Sequence, residues 1–424
     1  MTIAKTKSIR PADRAALLEA SRNLKMARSA HAYVRGNTRQ FYEWLQAQAP
    51  ESLPAGPAIW ICGDCHLGNL GPIANMQGGV EIQIRDLDQA VIGNPVHDLI
   101  RLGLSLAMAA RGSDLPGVTT AVMLEQLMEG YCAGLSGAEG EPDAPLPAPV
   151  HLVMKDALRR SWKHLARDRF DAVVPTVPIG KRFWKLAPDE KDAIARLFEK
   201  KSVSRLATLI GSRDDDAPVS VLDAAYWMKG CSSLGLLRYA VVLGVGEPGG
   251  DDLQYCLVDI KEAVPAAAPA YAKARSRQPP SSGLRDSPFG RPGGLMPADH
   301  AMRVVEGARH LSPHLGDRML ASDLLGKPVF LRELLPQDLK LEIEQLTRAE
   351  ATEVAAFLGG VVGKAHARQM DAVTARAWGA ELRKGRSKTL DAPGWLWNSI
   401  VDLVASHESG YLHHCRRYAL REAA

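Results

Sequence analysis

Hydrophobic positions recur at helical spacing near both ends of the chain and alternate with polar positions in its middle. Apolar residues in 348–369 lie three or four positions apart, which is typical of a helix with one buried face. Similar spacing predicts helices in 10–50, after Pro95 and in 118–135. We therefore expect helices to dominate both ends of the chain.

Short apolar and alternating runs predict strands between these helices. Residues 58–62 form a buried apolar run, and residues 80–86 alternate between apolar and polar side chains. Strand patterns separated by glycine-rich turns continue through 221–262, and 327–334 predicts another strand. The sequence therefore predicts an α+β fold, with an antiparallel meander in 221–262.

Composition and charge narrow the class of protein. The net charge of +4 is too small and too scattered to indicate a nucleic-acid partner. The first residues lack the apolar segment of a secretory signal, and no run of about 18 apolar residues is present. We expect a cytoplasmic protein with no membrane partner, whose six cysteines are mostly free thiols.

The segment WICGDCHLGNLG at residues 60–71 matches three unrelated motifs. Cys62, Cys65 and His66 match the pattern of covalent haem attachment, and the two cysteines alone match a redox motif. Asp64 and Asn69 have the spacing of a kinase catalytic loop. Haem attachment in bacteria generally follows export, and nothing in the sequence predicts export. We therefore expect Asp64 and Asn69 to be the functional residues of this segment.

The polar ends of two predicted strands form a candidate metal site. Asn69 lies on the loop after the 58–62 strand, and Asp86 ends the next predicted strand, so a hairpin would bring them together. Amide and carboxylate oxygens suit Mg²⁺, with phosphate completing its shell. Asp64 would then orient and deprotonate an attacking hydroxyl. The alternative is that Asp64 and Asn69 only stabilise a tight loop.

A glycine-rich turn joins two of the later strands. Gly230 and Gly235 bound this turn, and Ser232 and Ser233 lie within it. Glycines let backbone N–H groups approach phosphate oxygens closely. The turn is therefore a candidate phosphate-binding loop, although an ordinary hairpin would also explain it.

A strand lysine and a helix glutamate follow the turn. Lys261 lies on a predicted strand, and Glu306 lies in the middle of a predicted helix. Kinases use such a pair to present a cation to the α and β phosphates of ATP. An edge-strand charge and a solvated helix face are the ordinary explanations, but the order of turn, lysine and glutamate favours a nucleotide site.

The chain as a whole resembles a known family. The resemblance rests on the segments GDCHLGNLG, RDLDQAVIGNPVHDLIRL, GCSSLGLLRY, DIKEA, RVVEGAR and GKAHARQMD. They are similar to the bacterial domain-of-unknown-function 2252 family, which is grouped with protein-kinase-like folds. The loop at 63–69 is also similar to the G-D-x-H-x-x-N loop of aminoglycoside and choline kinases.

The resemblance implies a bilobal protein-kinase-like fold that uses ATP and Mg²⁺. It implies these roles: Asp64 as the catalytic base, Asn69 and Asp86 as metal ligands, Asp88 as a possible second metal ligand, Asp98 as a buried brace, and His66 as a phosphate contact or a further brace. Gly230, Ser232, Ser233, Gly235, Lys261 and Glu306 would bind ATP. The acceptor would be a small molecule with a hydroxyl or amine, or a protein.

The order of these motifs is unusual for a kinase. The catalytic loop at 63–69 precedes the glycine-rich turn near 230, and the helix that normally runs into that loop resembles 348–369. The resemblance therefore implies a circular permutation.

The permutation predicts three segments. They are a helical part with the catalytic loop at 1–204, a nucleotide-binding sheet part at 205–340, and helices completing the helical part at 341–424.

Two departures from the kinase pattern keep other functions open. Ser232 replaces the middle glycine of the turn, and Asp259 stands where kinases place a small apolar residue over adenine. A buried carboxylate there is costly unless it is paired. One alternative is therefore an AMP transferase that uses the same residues, and another is a non-catalytic nucleotide-binding regulatory module.

Overall fold

The hydrophobic pattern corresponds to an α+β fold in the computed structural model of the chain, which describes residues 9–137, 146–161, 176–209, 213–231, 234–247, 250, 253–269, 296–341, 346–384 and 392–418. The helices of these residues are α1 (Pro11–Met26), α2 (Ala30–Gly36), α3 (Thr38–Gln46), α4 (Val96–Gly112), α5 (Gly117–Ser136), α6 (Ala148–Arg159), α7 (Pro188–Phe198), α8 (Lys201–Ser204), α9 (His300–Leu311), α10 (Pro313–Gly316), α11 (Arg348–Ala367), α12 (Ala372–Leu382) and α13 (Gly394–Tyr418). The strands are β1 (Ile59–Ile61), β2 (Leu70–Ala74), β3 (Val80–Ile84), β4 (Val91–Gly93), β5 (Phe183–Trp184), β6 (Val219–Trp227), β7 (Arg238–Val245), β8 (Gln254–Glu262), β9 (Met319–Leu324) and β10 (Lys327–Glu333).

Two small antiparallel strand pairs surround the 63–69 loop. β1 pairs with β4, and β2 pairs with β3. The predicted hairpin between the 58–62 strand and the 80–86 strand is therefore wrong, because β3 pairs with the strand that directly follows Asn69. The β2–β3 turn is closed by Asn75, whose side-chain oxygen accepts hydrogen bonds from the backbone N–H groups of Gln77 and Gly79.

A six-stranded antiparallel sheet forms the second part of the fold. Its strand order is β5–β6–β7–β8–β10–β9. β6, β7 and β8 follow one another as the predicted meander, whereas α9 lies between β8 and β9 in the chain. The edge strands β5 and β9 were not among the predicted strands.

The two faces of this sheet are both buried, by different elements. Along β7, Val241 and Leu243 belong to the apolar cluster that includes α7 and α8, while Ala240 and Val242 belong to a smaller cluster on the other face. This alternation follows from the pleat of the strand. Lys261 pairs across strands with Arg238, two residues before Ala240, so it projects on the face of the smaller cluster.

The largest core joins segments that lie far apart in the chain. It contains apolar side chains of β1–β4 and of α4, α5, α9, α11 and α13. α11 begins with a capping box, in which Thr347 accepts from the Glu350 N–H and the Glu350 carboxylate accepts from the Thr347 N–H. The early and late helices therefore share one core, and the predicted boundaries at 204/205 and 340/341 stay predictions.

Candidate functional site

A buried carboxylate fixes the loop that follows β1. Asp98, in the first turn of α4, accepts hydrogen bonds from the backbone N–H groups of Cys62 (2.7 Å) and Gly63 (2.9 Å). His366 on α11 contacts the same carboxylate, with Nε2 3.2 Å from Oδ2. Asp98 has no exposed surface, and its predicted bracing role is confirmed. Gly63 has a φ of +72°, and a Cβ there would lie 2.2 Å from the carbonyl oxygen of Gln89.

Asp64 lies at the bend of this loop and is largely buried. Its Oδ1 accepts a hydrogen bond from Arg101 Nε at 2.9 Å, and Asn69 Nδ2 donates to its backbone carbonyl at 3.0 Å. Burial raises the pKa of the Asp64 carboxyl, against the opposing charge of Arg101. The side chain therefore combines a fixed orientation with a basicity above that of an exposed aspartate.

His66 lies beside Asp64, with Nε2 3.8 Å from Asp64 Oδ2. Its ring is 3% exposed, and its Nδ1 has no hydrogen-bond partner among the described residues. Burial, together with the positive charges of Arg35 and Arg101, lowers the pKa of His66 well below its usual range. The imidazole is therefore neutral near pH 7.

The two predicted metal ligands lie at the start and end of the β2–β3 pair. The Asn69 carbonyl accepts a hydrogen bond from the backbone N–H of Arg85 at 2.7 Å, so Asn69 and Asp86 are brought close, as predicted. The Asp86 side chain is 47% exposed. Partial desolvation raises its pKa, but Lys261 and Arg332 outweigh this and lower the pKa of Asp86 to about 2. Its carboxylate is ionised and available to a ligand.

Lys261 reaches this acidic segment from the six-stranded sheet. Its ammonium forms an ion pair with the Asp88 carboxylate and lies 3.7 Å from Asp86 Oδ1. The predicted approach of Lys261 to Asp86 is thus confirmed, whereas a single cleft that also contains Asp64 and Asn69 stays a prediction. Burial lowers the pKa of Lys261, and Asp86 opposes this shift. The cleft at this point is lined by Arg85, Asp86, Leu87, Asp88, Lys261, Val304, Leu315, Met319, Phe330 and Arg332.

Glu306 does not pair with Lys261 in this structure, so the predicted pairing is corrected. Its carboxylate instead accepts from Arg309 Nη1 at 2.6 Å, one turn along α9. The residue of α9 that lines the cleft beside Lys261 is Val304. Because residues two positions apart in a helix point in nearly opposite directions, Glu306 is turned away from the cleft.

An arginine that the sequence did not single out links α9 to the acidic segment. The buried guanidinium of Arg303 donates to the backbone carbonyls of Asp88, Ala90 and Val264. Burial lowers the pKa of Arg303 to about 10. α9 therefore approaches the site through Arg303 and not through Glu306.

The glycine-rich turn lies against the N-terminal helices. Gly230 and Gly235 have φ values of +95° and +103°, which explains glycine at both positions. Lys25 Nζ on α1 donates to the Gly230 carbonyl at 3.3 Å. Ser232 and Ser233, the other two predicted phosphate contacts in the turn, lie outside the described residues.

Asp259 is paired on both sides, so the expected cost of burying it is offset. Arg238 donates to it from Nε at 2.9 Å and from Nη2 at 2.6 Å, and Arg332 donates to Oδ2 at 3.3 Å. Arg238 and Arg332 hold the pKa of Asp259 well below its usual range, although burial opposes them. Sequence reasoning missed both arginines, because their pairing depends on the register of β7, β8 and β10.

The two cysteines of the loop are fully buried. Cys62 Sγ contacts the backbone carbonyl of Asp86 at 3.6 Å, and both cysteines are free thiols. Neither sulfur is accessible for covalent attachment of a large group.

The candidate metal site offers few ligands from the protein. In the described part of the chain, no cluster of three or more histidine, cysteine or acidic side chains is arranged to hold a metal ion. Asp86 and Asp88 supply two carboxylates on one segment, and Mg²⁺ commonly takes one or two carboxylates together with substrate phosphates. This donor set fits Mg²⁺ bound together with a phosphate ligand.

The chain belongs to the family described as an uncharacterized protein conserved in bacteria (DUF2252), whose family model matches residues 14–417. This agrees with the resemblance of the sequence motifs. No curated protein and no solved structure matched the chain. Among the helices described, none is long and apolar enough to cross a membrane.

Proposed function

We propose that this protein is an ATP- and Mg²⁺-dependent phosphotransferase of the kinase-like superfamily. The observation that carries the proposal is the ion pair between Lys261 and Asp88, which lie 173 positions apart in the chain. Asp86 lies next to this pair, with Oδ1 3.7 Å from the Lys261 ammonium. The cleft holds a buried lysine and two carboxylates, and a buried, oriented aspartate stands on the 63–69 loop, which is hydrogen-bonded to the segment that precedes Asp86. These are the parts that phosphoryl transfer requires.

Each group has a role in the proposed reaction. Asp64, oriented by Arg101, would accept the proton of the attacking hydroxyl or amine. Asn69, Asp86 and Asp88 would hold Mg²⁺, which would offset the negative charge of the ATP phosphates when bound. Lys261 would then contact those phosphates. The acceptor we favour is a small molecule with a hydroxyl or amine.

The connectivity of the sheet supports a kinase-like arrangement. The meander β6–β7–β8 is followed by the helix α9 and then by the strands β9 and β10. β10 returns to pair with β8, the strand that carries Lys261. A nucleotide-binding lobe of a kinase has the same plan, with the lysine on the third strand. The loop with Asp64 comes earlier in the chain, so the proposed fold is a permuted one.

A specific observation favours AMP transfer as the second candidate. Asp259, two residues before Lys261 on the same sheet face, is buried in ion pairs with Arg238 and Arg332. Kinases need apolar surface there for adenine. These two arginines also lower the pKa of Asp86, so their charges act near the acidic segment. Phosphates would suit this place better than a base, and a nucleotide bound in the reverse direction would present its α phosphate for transfer.

The test is an assay of label transfer with Mg²⁺ and ATP labelled at either the α or the γ phosphate. A cell lysate freed of its own nucleotides serves as the source of acceptors. We expect γ label to move to a metabolite, and transfer to fall by about 100-fold or more in Asp86→Asn and Lys261→Met. Asp323→Asn, the same change on the exposed edge strand β9, should leave it unaltered.

The outcomes separate the candidates. Transfer of α label with loss in the same variants would replace phosphoryl transfer by AMP transfer. No transfer of either label, together with no shift of the melting temperature by Mg²⁺ and ATP, would contradict both. Thermal unfolding of each variant establishes that a loss of transfer is not a loss of folding.

A further inference from the structure

The guanidinium of Arg35 lies directly over the 63–69 loop. A Cβ built on Gly68 would lie 2.9 Å from Arg35 Cζ and 2.9 Å from its Nη2, so the arginine occupies the space that the glycine leaves. Arg35 is half-buried, and no described residue forms an ion pair with it. A cation is therefore presented at Gly68, in the loop that carries Asp64, without a counter-ion among the described residues.

Three buried nitrogen atoms near Arg35 have no hydrogen-bond partner among the described residues. They are Nδ1 of His31, Nδ1 of His66 and Nη1 of Arg101. Only 3% of the His66 surface is exposed, and Arg101 has no exposed surface. An unsatisfied buried polar group costs about 1–3 kcal/mol, so such a group is uncommon without a purpose. Several of them around one loop point to a ligand.

The charge balance around these groups is positive. Burial is the largest cause of the lowered pKa of His31, to about 4, and of His66, and the charges of Arg35 and Arg101 lower both pKa values further. Asp64 is the nearby carboxylate, and Arg101 already pairs with it. Arg35 therefore has no counter-ion among the residues that the structure describes, and both imidazoles are neutral and able to donate one N–H.

We propose that Arg35, His31 and His66 form an oxyanion pocket that binds a carboxylate or phosphate group of the acceptor. The pocket would hold the acceptor by its acidic group and present its hydroxyl or amine to Asp64. This assignment of the anion to the acceptor rests on the proposed function. Binding of an oxyanion at Arg35 does not rest on it.

The position of the pocket favours the acceptor over the nucleotide. Lys261 reaches Asp86 and Asp88 from the sheet: its ammonium pairs with Asp88 and lies 3.7 Å from Asp86 Oδ1. Arg35 acts instead on His66, His31 and the glycine-rich turn at Cys231, from the helical side. Asp64 belongs to the loop beneath Arg35, where it accepts from Arg101 Nε at 2.9 Å and lies 3.8 Å from His66 Nε2. An acidic acceptor held at Arg35 would bring its hydroxyl or amine to this loop, with the donor phosphate on the side of Lys261.

The direct test measures binding of inorganic phosphate and of acetate to the full-length protein. Calorimetry gives the affinity, and ¹⁵N resonances of the histidine rings report whether His31 and His66 sense the ion. Titrations are made in the presence of saturating Mg²⁺ and a non-hydrolysable ATP analogue, so that the Lys261 region is blocked. We expect Arg35→Gln to weaken binding by about tenfold or more, because a charge-assisted bidentate contact is lost.

Two further variants make the test specific. Arg39→Gln removes the same charge from an exposed position on α3, where the side chain is 86% exposed, and should change the affinity less than twofold. Gly68→Ala keeps the charge of Arg35 but fills the space beneath its guanidinium, and should weaken binding as Arg35→Gln does. Melting temperatures identify any variant that fails to fold. If Arg35→Gln does not fold, Arg35→Lys replaces it, because lysine keeps the positive charge but cannot make the two parallel hydrogen bonds of a guanidinium.

The possible results either support or overturn the proposal. Equal binding in wild type and Arg35→Gln, or histidine signals that do not move, would overturn the pocket. A parallel titration without the ATP analogue completes the set: phosphate binding through Arg35 that is present there but lost with the analogue would assign the pocket to the nucleotide and overturn the acceptor assignment. If label transfer from ATP fails while phosphate still binds through Arg35, the proposed function fails and the oxyanion pocket stands. Tighter binding of phosphate than acetate, or the reverse, identifies the acidic group that the pocket prefers.

Discussion

Asp98 is the residue on which the geometry of the 63–69 loop depends most directly. It accepts two backbone N–H groups of the loop and contacts His366 from another helix, all without solvent. An asparagine has nearly the same shape but only one acceptor oxygen. One of the three donors would therefore face an NH₂ group in the core.

We expect Asp98→Asn to lower the free energy of unfolding by about 2–3 kcal/mol, because it leaves a buried donor unsatisfied. Chemical denaturation measures this change. Asp323→Asn, on the exposed part of β9, should stay within about 0.5 kcal/mol of wild type. A loss at Asp98 no larger than that of the control would show that the loop does not depend on this carboxylate.

At the residue scale, the sequence predicted the acidic site better than its basic surroundings. Asp64, Asn69 and Asp86 stand at strand ends beside turns, where polar side chains are informative. Lys261 was predicted from its order after the glycine-rich turn. Glu306 was expected to face Lys261, but the choice between it and Val304 depends on the rotation of α9 about its axis, which the sequence order does not specify.

The arginines of the site carried no comparable signal. Arg101 and Arg303 stand in helices, and Arg332 in a strand, where arginine is also common on a surface. Their burial follows only from the packing of distant elements, such as the approach of α9 to the Asp88 carbonyl. Arg101 is the exception, because α4 is apolar on most of its surface. A helix of that kind is buried on all sides, so the sequence could have predicted that its arginine is buried too.

At the scale of elements, close helix packing depends on glycines spaced four residues apart. Gly130 and Gly134 on α5 face Gly359 and Gly363 on α11, and a Cβ at Gly359 would lie 2.2 Å from the carbonyl oxygen of Leu127. The two helix backbones therefore pack together without intervening side chains. This crossing joins an early helix to a late one.

We expect Gly359→Ala to destabilise the protein by about 2–3 kcal/mol, because the added methyl group must push α5 and α11 apart. Gly379→Ala on α12 is the matched control. There the nearest atoms lie 3.7 Å away on the flexible Arg383 side chain, and alanine should be neutral or stabilising by up to about 1 kcal/mol. Urea unfolding of both variants makes the comparison, and equal effects would contradict the close packing.

Element prediction succeeded where the pattern was long and failed where it was short or broken. α4, α5 and α11 were predicted to within a few residues. β2 was missed because its sequence, LGPIA, contains a glycine and a proline that normally argue against a strand. Without β2, the 58–62 run seemed the natural partner of β3, and that pairing was wrong.

At the scale of the whole molecule, the N-terminal helix connects the sheet part to the helical part. Arg14 on α1 forms a buried ion pair with Glu190 on α7, and Glu190 also accepts from the Tyr239 hydroxyl. At the other end of α1, the Asn23 carbonyl is 2.8 Å from His414 Nε2 on α13. No local sequence pattern predicts such contacts, because their partners lie 176 and 391 positions away.

Buried neutral histidines make the stability of the folded chain sensitive to acid. His407 on α13 is 1% exposed, and burial together with the charge of Arg101 lowers its pKa from 6.5 to about 4. Tyr33 on α2 packs against the same ring, and the Leu403 carbonyl is 2.9 Å from its Nδ1. A histidine whose pKa is lowered on folding binds more protons in the unfolded chain between these two values.

The free energy of unfolding therefore decreases as the pH falls. The stability that neutral His407 contributes is complete above pH 6.5 and is lost as the pH falls towards 4. By pH 5 the loss from this one group should be about 2 kcal/mol, taking 1.36 kcal/mol per pKa unit and allowing for partial titration.

His407→Gln cannot titrate, so its free energy of unfolding should fall less than that of wild type between pH 7 and pH 5. His413→Gln, an exposed change on the same helix, should keep the wild-type slope. Parallel slopes for wild type and His407→Gln would mean that the ring accepts a proton within the folded protein, and would contradict the prediction.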